Sequence, residues 1–137
     1  MIYNMWYRVK ISRDIKNKDT GTTKNIVEYY LTEATNFGYA GIAVINKLGK
    51  DIEVEDVQLM KQYKPAINDY IEGKKIYIIK IAEDYIDDNG ETKTLKYPMP
   101  VFASNDVELY QIVKDYLKQG LNDMRLTTIS ETKWKYI

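Results

Sequence analysis

Apolar and polar positions alternate in steps of two near the start of the chain. Tyr7, Val9 and Ile11 are separated by Trp6, Arg8 and Lys10, which is the period of a strand with one buried face. The alternation returns as Tyr77, Ile79 and Ile81, set among Ile76, Ile78 and Lys80. A glycine turn follows each time. Asp88-Asn89-Gly90 is a tight hairpin signal, because Asn and Gly accept the positive φ such turns need, and Asp19-Thr20-Gly21 does the same in a longer loop. Second strands are predicted over residues 23–33 and 92–102. Pro98 and Pro100 have no amide to donate, so the later of these strands is expected at a sheet edge or bulged.

The period then changes to that of a helix. Asn105-Asp106-Val107-Glu108 reads as an N-cap with a glutamate at N3. Leu109, Ile112, Val113, Tyr116 and Leu117 make the apolar stripe, Gly120 is a fitting residue beyond the end, and Glu108, Gln111, Lys114, Asp115 and Lys118 make a wet face. The earlier helix, predicted over 37–48 and stopped by Gly49, is different. Phe37, Gly41, Val44, Ile45 and Leu48 form its expected core stripe, yet the opposite side carries Tyr39, Ile42, Ala43 and Asn46. No charged residue lies between Glu33 and Lys47. Third strands are predicted near 51–62 and 122–132, with an apolar phase that slips after Val54 and after Leu126, a bulge signal. Ile67, Tyr70 and Ile71 have the spacing of a short helical turn between the halves.

These elements form an internal repeat. Trp6-Tyr7-Arg8-Val9-Lys10-Ile11 aligns with Ile76-Tyr77-Ile78-Ile79-Lys80-Ile81, and Thr20-Gly21-Thr22-Thr23-Lys24 with Asn89-Gly90-Glu91-Thr92-Lys93. Ala34 and Asn36 align with Ala103 and Asn105, Gly49 with Gly120, and Ile52-x-Val54-x-x-Val57 with Met124-x-Leu126-x-x-Ile129. Matching blocks in one order imply an α+β fold made of tandem duplicated ββαβ units. About six mostly antiparallel strands and two helices are expected, arranged about a pseudo-two-fold in a single domain. The repeats would span 5–62 and 74–132, with 63–73 as linker.

A chain of 137 residues, 45% hydrophobic and 29% charged, is long enough for a real core and is not disordered in composition. Twenty basic and twenty acidic residues cancel, so long-range attraction to nucleic acid or anionic lipid is small. There is no cysteine and no histidine, which removes disulfides, thiolates, the commonest zinc ligands and the usual proton shuttle. The 13 tyrosines fit half-buried strands. No apolar run approaches the ~18 residues of a membrane span. The opening Met1-Ile2-Tyr3-Asn4-Met5-Trp6 lacks the pattern of a secretory signal, so a cytoplasmic location is expected.

Two surfaces are candidates for function. One is the uncharged side of the first helix, Tyr39, Ile42, Ala43 and Asn46, where Gly38, Ala40, Gly41 and Ala43 would let another helix approach. A homo-oligomer or a protein partner is expected there. The other is the far face of the first strands, with Trp6, Arg8 and Lys10 in one half and Ile76, Ile78 and Lys80 in the other. Aromatic and basic residues on strands can track single-stranded nucleic acid; zero net charge and the lack of a basic cluster disfavour that use. Lys24 and Lys93 read as charges that protect strand edges. Asp14, Asp19, Asp87 and Asp88 fall in turns, where acidic residues serve turn geometry. No phosphate-binding glycine loop is present, Gly38-x-x-Gly41 lacking the companion glycine and lysine, and no acid/base pair stands out. A non-catalytic protein without cofactor or metal is therefore expected.

The opening Trp6-Tyr7-x-Val9-Lys10, the Tyr30-Leu31-Thr32-Glu33-Ala34 run with Phe37 beyond it, and the late Ile129-Ser130-Glu131-Thr132-Lys133 resemble a family of uncharacterised proteins. That family occurs in gut Bacteroidetes and their crAss-like phages. The resemblance implies a phage or mobile-element context and carries no activity. The combined expectation is an interaction protein acting through protein–protein contacts, with a single-stranded nucleic-acid accessory and a small-ligand-sequestering protein as the alternatives.

Overall fold

The structure, a computed structural model, describes residues 5–60, 66–119 and 123–137. It is an α+β fold in two compact units. The first comprises the described residues through Met60 together with Trp134–Ile137, and the second the described residues from there to Lys133.

In the first unit, β1 (Met5–Lys16) and β2 (Thr23–Ala34) form an antiparallel hairpin paired from Met5↔Ala34 to Lys16↔Thr23. The loop between them closes through Asn17, whose amide donates to Thr22 O at 2.8 Å and whose carbonyl accepts from Gly21 N at 2.8 Å. Gly21 supplies φ of 71° there, the conformation a side chain would resist. The helix α1 (Phe37–Leu48) then leads to β3 (Glu53–Leu59), which pairs antiparallel with β1 on its other side. Tyr7, Val9, Ile11 and Tyr30 face α1 and meet Ala40 and Val44 in one buried cluster.

The second unit repeats the order. It runs β4 (Lys75–Ile86), β5 (Thr92–Ala103), α2 (Asp106–Lys118) and β6 (Asp123–Glu131), with β4 between β5 and β6. Tyr77, Ile79, Ile81, Tyr97, Met99 and Val101 form its core with Leu109 and Val113 of α2. β5 lies at the edge of this sheet, where Pro98 and Pro100 cost no central ladder bond.

Several details recur at equivalent places. Glu55 is the extra residue between Val54 and Asp56 where β3 crosses Ile11 and Lys10, and Thr127 is the extra residue where β6 crosses Ile81 and Lys80. These are the bulges that the slipping phase marked. Each bulge side chain folds back, Glu55 accepting from Ser12 Oγ at 2.6 Å and Thr127 Oγ1 donating to Lys80 O at 3.1 Å. Asn36 and Asn105 cap the two helices with nearly identical backbone angles, φ −158° and −159°. Such agreement is compatible with duplication.

Other details go beyond the expectation or depart from it. A seventh strand is present: β7 (Lys135–Tyr136) adds to the outer edge of β2 in parallel, so the first sheet has the order β3-β1-β2-β7. Residues 66–74 hold bends and a turn at Gly73 (φ 92°) in place of a short helix. Ile67 packs on the second core and Tyr70 sits edge-on to Phe102 at 5.4 Å, while Ile71 is exposed; each side chain follows its own contact rather than one helical face. Glu108 does not reach the N-cap amide but the one before it, taking Ser104 N at 3.1 Å. Gly120 and linker residues 63–65 lie outside the described residues.

Candidate interaction surface

The phase of α1 is set at its first turn. Asn36 Oδ1 accepts from Tyr39 N at 2.9 Å, satisfying an amide with no partner inside the helix, and Gly49 ends it with φ of 95° while its amide reaches Ile45 O at 2.8 Å. Between these ends the buried residues are Ala40, Gly41 and Val44. Leu48 packs at the margin. The expected stripe is thus rotated: Ile45 is 41% exposed, and Phe37 is 52% exposed although its ring lies edge-on to Tyr7 at 5.1 Å. The large Tyr7 and Tyr30 rings already fill the sheet face, so the helix presents its small residues to them.

The outer side of α1 keeps the residues the sequence placed there. Tyr39 (60% exposed), Ile42 (50%) and Asn46 are exposed and Ala43 is half-buried, and their spacing of three, four and seven puts them on one face. Ile45 joins them. The signal that would have assigned it outward is the cap itself: with Asn36 fixed, Ala40 and Val44 define the inward direction. Gly38 lies on the outer side too, where an added Cβ would meet only Asn36 Oδ1 at 3.4 Å. Gly41 faces inward, with Val54 Cγ1 4.0 Å from an added Cβ. Neither glycine is demanded by contacts among the described residues, though Gly41, inside the helix, costs about 1 kcal/mol relative to alanine.

α2 also exposes apolar residues, Val107 and Tyr110. Its outer face is interrupted by charge, with Gln111 Nε2 donating to Asp115 at 2.9 Å and Glu108 paired with Lys74. The hydrogen bond from Lys74, with help from Ser104 N, holds the Glu108 carboxyl below its ordinary value. That is a structural role at a helix N-terminus.

The strand-face candidates are differently placed. Trp6 is buried, with Tyr136 6.1 Å from its ring, and Arg8 is half-buried between the rings of Tyr29 (5.0 Å) and Trp134 (5.8 Å) while donating to Gln58. Lys10 is half-buried. In the second unit Ile76 is buried, Ile78 half-buried and Lys80 exposed. In each unit the residue at the head of the row, Trp6 or Ile76, is thus the one least open to a stacking base.

No period marks the tail that covers Arg8, since a strand of two residues carries none. Its anchors are specific. Ile137 N donates to Leu31 O at 3.0 Å, and Lys135 pairs with Glu28, which also holds Arg13 at 2.7 Å. Burial pushes the Glu28 carboxyl up, but Lys135 and Arg13 outweigh it and hold the group below its ordinary value. Burial, with Glu28 nearby, pushes the Tyr30 hydroxyl up. The matching edge of β5 is closed by Asn68, whose amide donates to Phe102 O at 2.7 Å and accepts from Phe102 N at 3.0 Å.

Among the described residues no helix is long and apolar enough to cross a membrane, and no group of three acidic side chains has metal-binding geometry. Asp87 is spent on its own turn, taking Asn89 N and Glu91 N at 2.9 Å. Asp14 holds Asn25 at 3.0 Å across the first hairpin, as Asp84 holds Thr94 at 2.6 Å across the second.

These features define an α+β protein of two ββαβ units with one uncharged, outward-facing helix surface. The chain belongs to the family described as Domain of unknown function (DUF4494), whose model matches residues 5–137. No curated protein matches it.

Proposed function

We propose that this chain is a non-catalytic interaction protein of the cytoplasm, acting through protein–protein contacts made by the outer side of α1. One observation carries the reading: Tyr39, Ile42 and Ile45 stand about half exposed on a helix with no charged residue from Ala34 to Asn46. Scattered exposed apolar residues are ordinary, but a contiguous face of them on a small chain marks a contact surface. The resemblance to proteins of Bacteroidetes and crAss-like phages supports a phage accessory or host-interaction role.

The test is affinity capture from a Bacteroidetes host extract on the immobilised full chain, with and without nuclease. Proteins retained by the wild type, resistant to nuclease and lost with a Tyr39→Ser/Ile42→Asp double variant are the expected result. Retention that needs nucleic acid would favour the single-stranded accessory reading, and retention indifferent to the double variant would remove α1 from the account.

A further inference from the structure

We propose that the α1 surface binds a second copy of this chain, with the two α1 helices packed antiparallel across a two-fold axis. The proposal rests on the reading of α1 as the contact surface and narrows it to a single occupant.

Charge is the first argument. A two-fold contact sets a surface against itself, so any charge near the axis meets its own image and is repelled. α1 has no acidic residue in its first turn and its one basic residue, Lys47, is in its last. α2, by contrast, carries Asp106, Glu108, Lys114, Asp115 and Lys118, and self-pairing there would bury or oppose them. The antiparallel sense also sets each helix N-terminus beside the other's C-terminus, which the helix dipoles favour.

Shape is the second. At 100° per residue, Gly38, Ile42 and Ile45 fall on one seam, with Asn46 and Tyr39 along its outer side. In an antiparallel crossing centred near Ile42, Gly38 of one copy lies opposite Ile45 of the other, so the missing side chain makes the hollow that the isoleucine fills. A parallel crossing would set Gly38 against Gly38 and leave a gap. This gives Gly38 a use that nothing in its own chain provides, the only neighbour of an added Cβ being Asn36 Oδ1.

Area sets the strength. The half-exposed Tyr39 ring and two isoleucines offer on the order of 300 Å² of apolar surface per copy. This is well under half of the ~800 Å² per partner in a standard stable complex. Rim residues add to it, and an area of this size favours a reversible dimer over an obligate one.

Sedimentation equilibrium of the full chain over roughly 1–200 μM reads this directly. The mass is expected to climb from 16.1 kDa toward twice that value. Ile42→Asp should abolish the rise. Gly38→Leu, which fills the hollow from an exposed position, should weaken association at least about tenfold while the circular dichroism and unfolding midpoint of the monomer are kept or improved. A wild-type chain that stays monomeric throughout overturns the dimer, and so does a dimer unaffected by both variants. The broader surface reading fails by a different result, retention of host proteins by the Tyr39→Ser/Ile42→Asp chain, so the two failures are told apart.

Discussion

Two glycines at α1 should respond to the same substitution with opposite signs. Gly41 sits inside the helix with ordinary φ, and a methyl group there would meet Val54 Cγ1 at 4.0 Å. That is van der Waals contact without overlap. Gly41→Ala therefore gains about 1 kcal/mol of helix propensity and unfolded-state entropy, and no packing penalty offsets it. For a chain of this size the gain corresponds to roughly 3–5 °C in Tm. Gly49 also has open space around an added Cβ, but its backbone stands at φ 95°, ψ −170°. Only glycine adopts that region without strain, and Gly49→Ala should lose about 2 kcal/mol. Urea unfolding of the three proteins, followed by circular dichroism, decides the matter, with an unchanged slope showing that native stability alone moved. A lowered midpoint in Gly41→Ala would refute the claim that the chain's own packing does not need this glycine. Equal effects at both positions would refute the assignment of backbone strain to Gly49.

Three further outcomes are expected. Asn68→Ala should cost about 1–3 kcal/mol, because two hydrogen bonds to the backbone of the buried Phe102 are removed; Asn68→Asp, which keeps the acceptor for Phe102 N, should lose less in the same urea titration. Asn36→Ala and Asn105→Ala should each cost about 1 kcal/mol by removing an N-cap, read as the change in thermal midpoint. Lys135→Met should cost roughly 0.5 kcal/mol at neutral pH, since the Lys135 side chain is largely exposed and Arg13 still faces Glu28. Its pH dependence has a fixed sign. Glu28 has a lowered folded pKa, so its contribution is complete above the ordinary glutamate value of ~4.3 and is lost as pH falls through the folded value. Lys135 is raised, chiefly by its hydrogen bond to Glu28, so its share is complete below the ordinary lysine value of ~10.4 and is lost as pH rises through the folded value. Urea midpoints of wild type and Lys135→Met should therefore converge at both acidic and strongly alkaline pH; a constant gap across pH would contradict the ion pair.

Much of the fold was legible because the elements are periodic. Tyr7-Val9-Ile11 and Tyr77-Ile79-Ile81 alternate cleanly, and both sets are buried. The bulges were legible for the same reason: inserting Glu55 or Thr127 flips the side of the strand, and the apolar phase records the flip. What the sequence withheld depends on single contacts. β7 is two residues long, and its place is fixed by Lys135 with Glu28 and by Ile137 with Leu31, partners more than a hundred positions away. Asn68 shows no pattern either; one amide closes an edge. On α1 the outward residues Tyr39, Ile42 and Asn46 were legible, whereas Ile45 was placed inward because an apolar count cannot see that Tyr7 and Tyr30 leave room only for small neighbours.

The case for a contact surface gains from what the charged groups are doing. A functional acid or base is tuned by its surroundings toward a task, and a shifted pKa in a cleft is evidence of one. Here each shifted group has a structural reason in view. Glu28 ties the tail to β2 through Lys135. Asp84 joins the β4–β5 hairpin to β6, with Thr94 and then Arg125 holding its carboxyl down. Glu108 caps α2 and holds Lys74, and Lys75, raised by Glu131, joins β4 to β6. Burial raises the Tyr77 hydroxyl, which donates to Asp106 at 3.3 Å. Each of these joins parts of a single unit, so the shifts among the described residues are accounted for by holding the sheets and helices together. The outer side of α1 has no such account. It leaves Tyr39, Ile42 and Ile45 exposed and places Gly38 beside them, a glycine that no contact among the described residues explains. A second molecule against that helix would answer both oddities through one contact, which is why association, rather than the titration of any side chain, is the property to measure first.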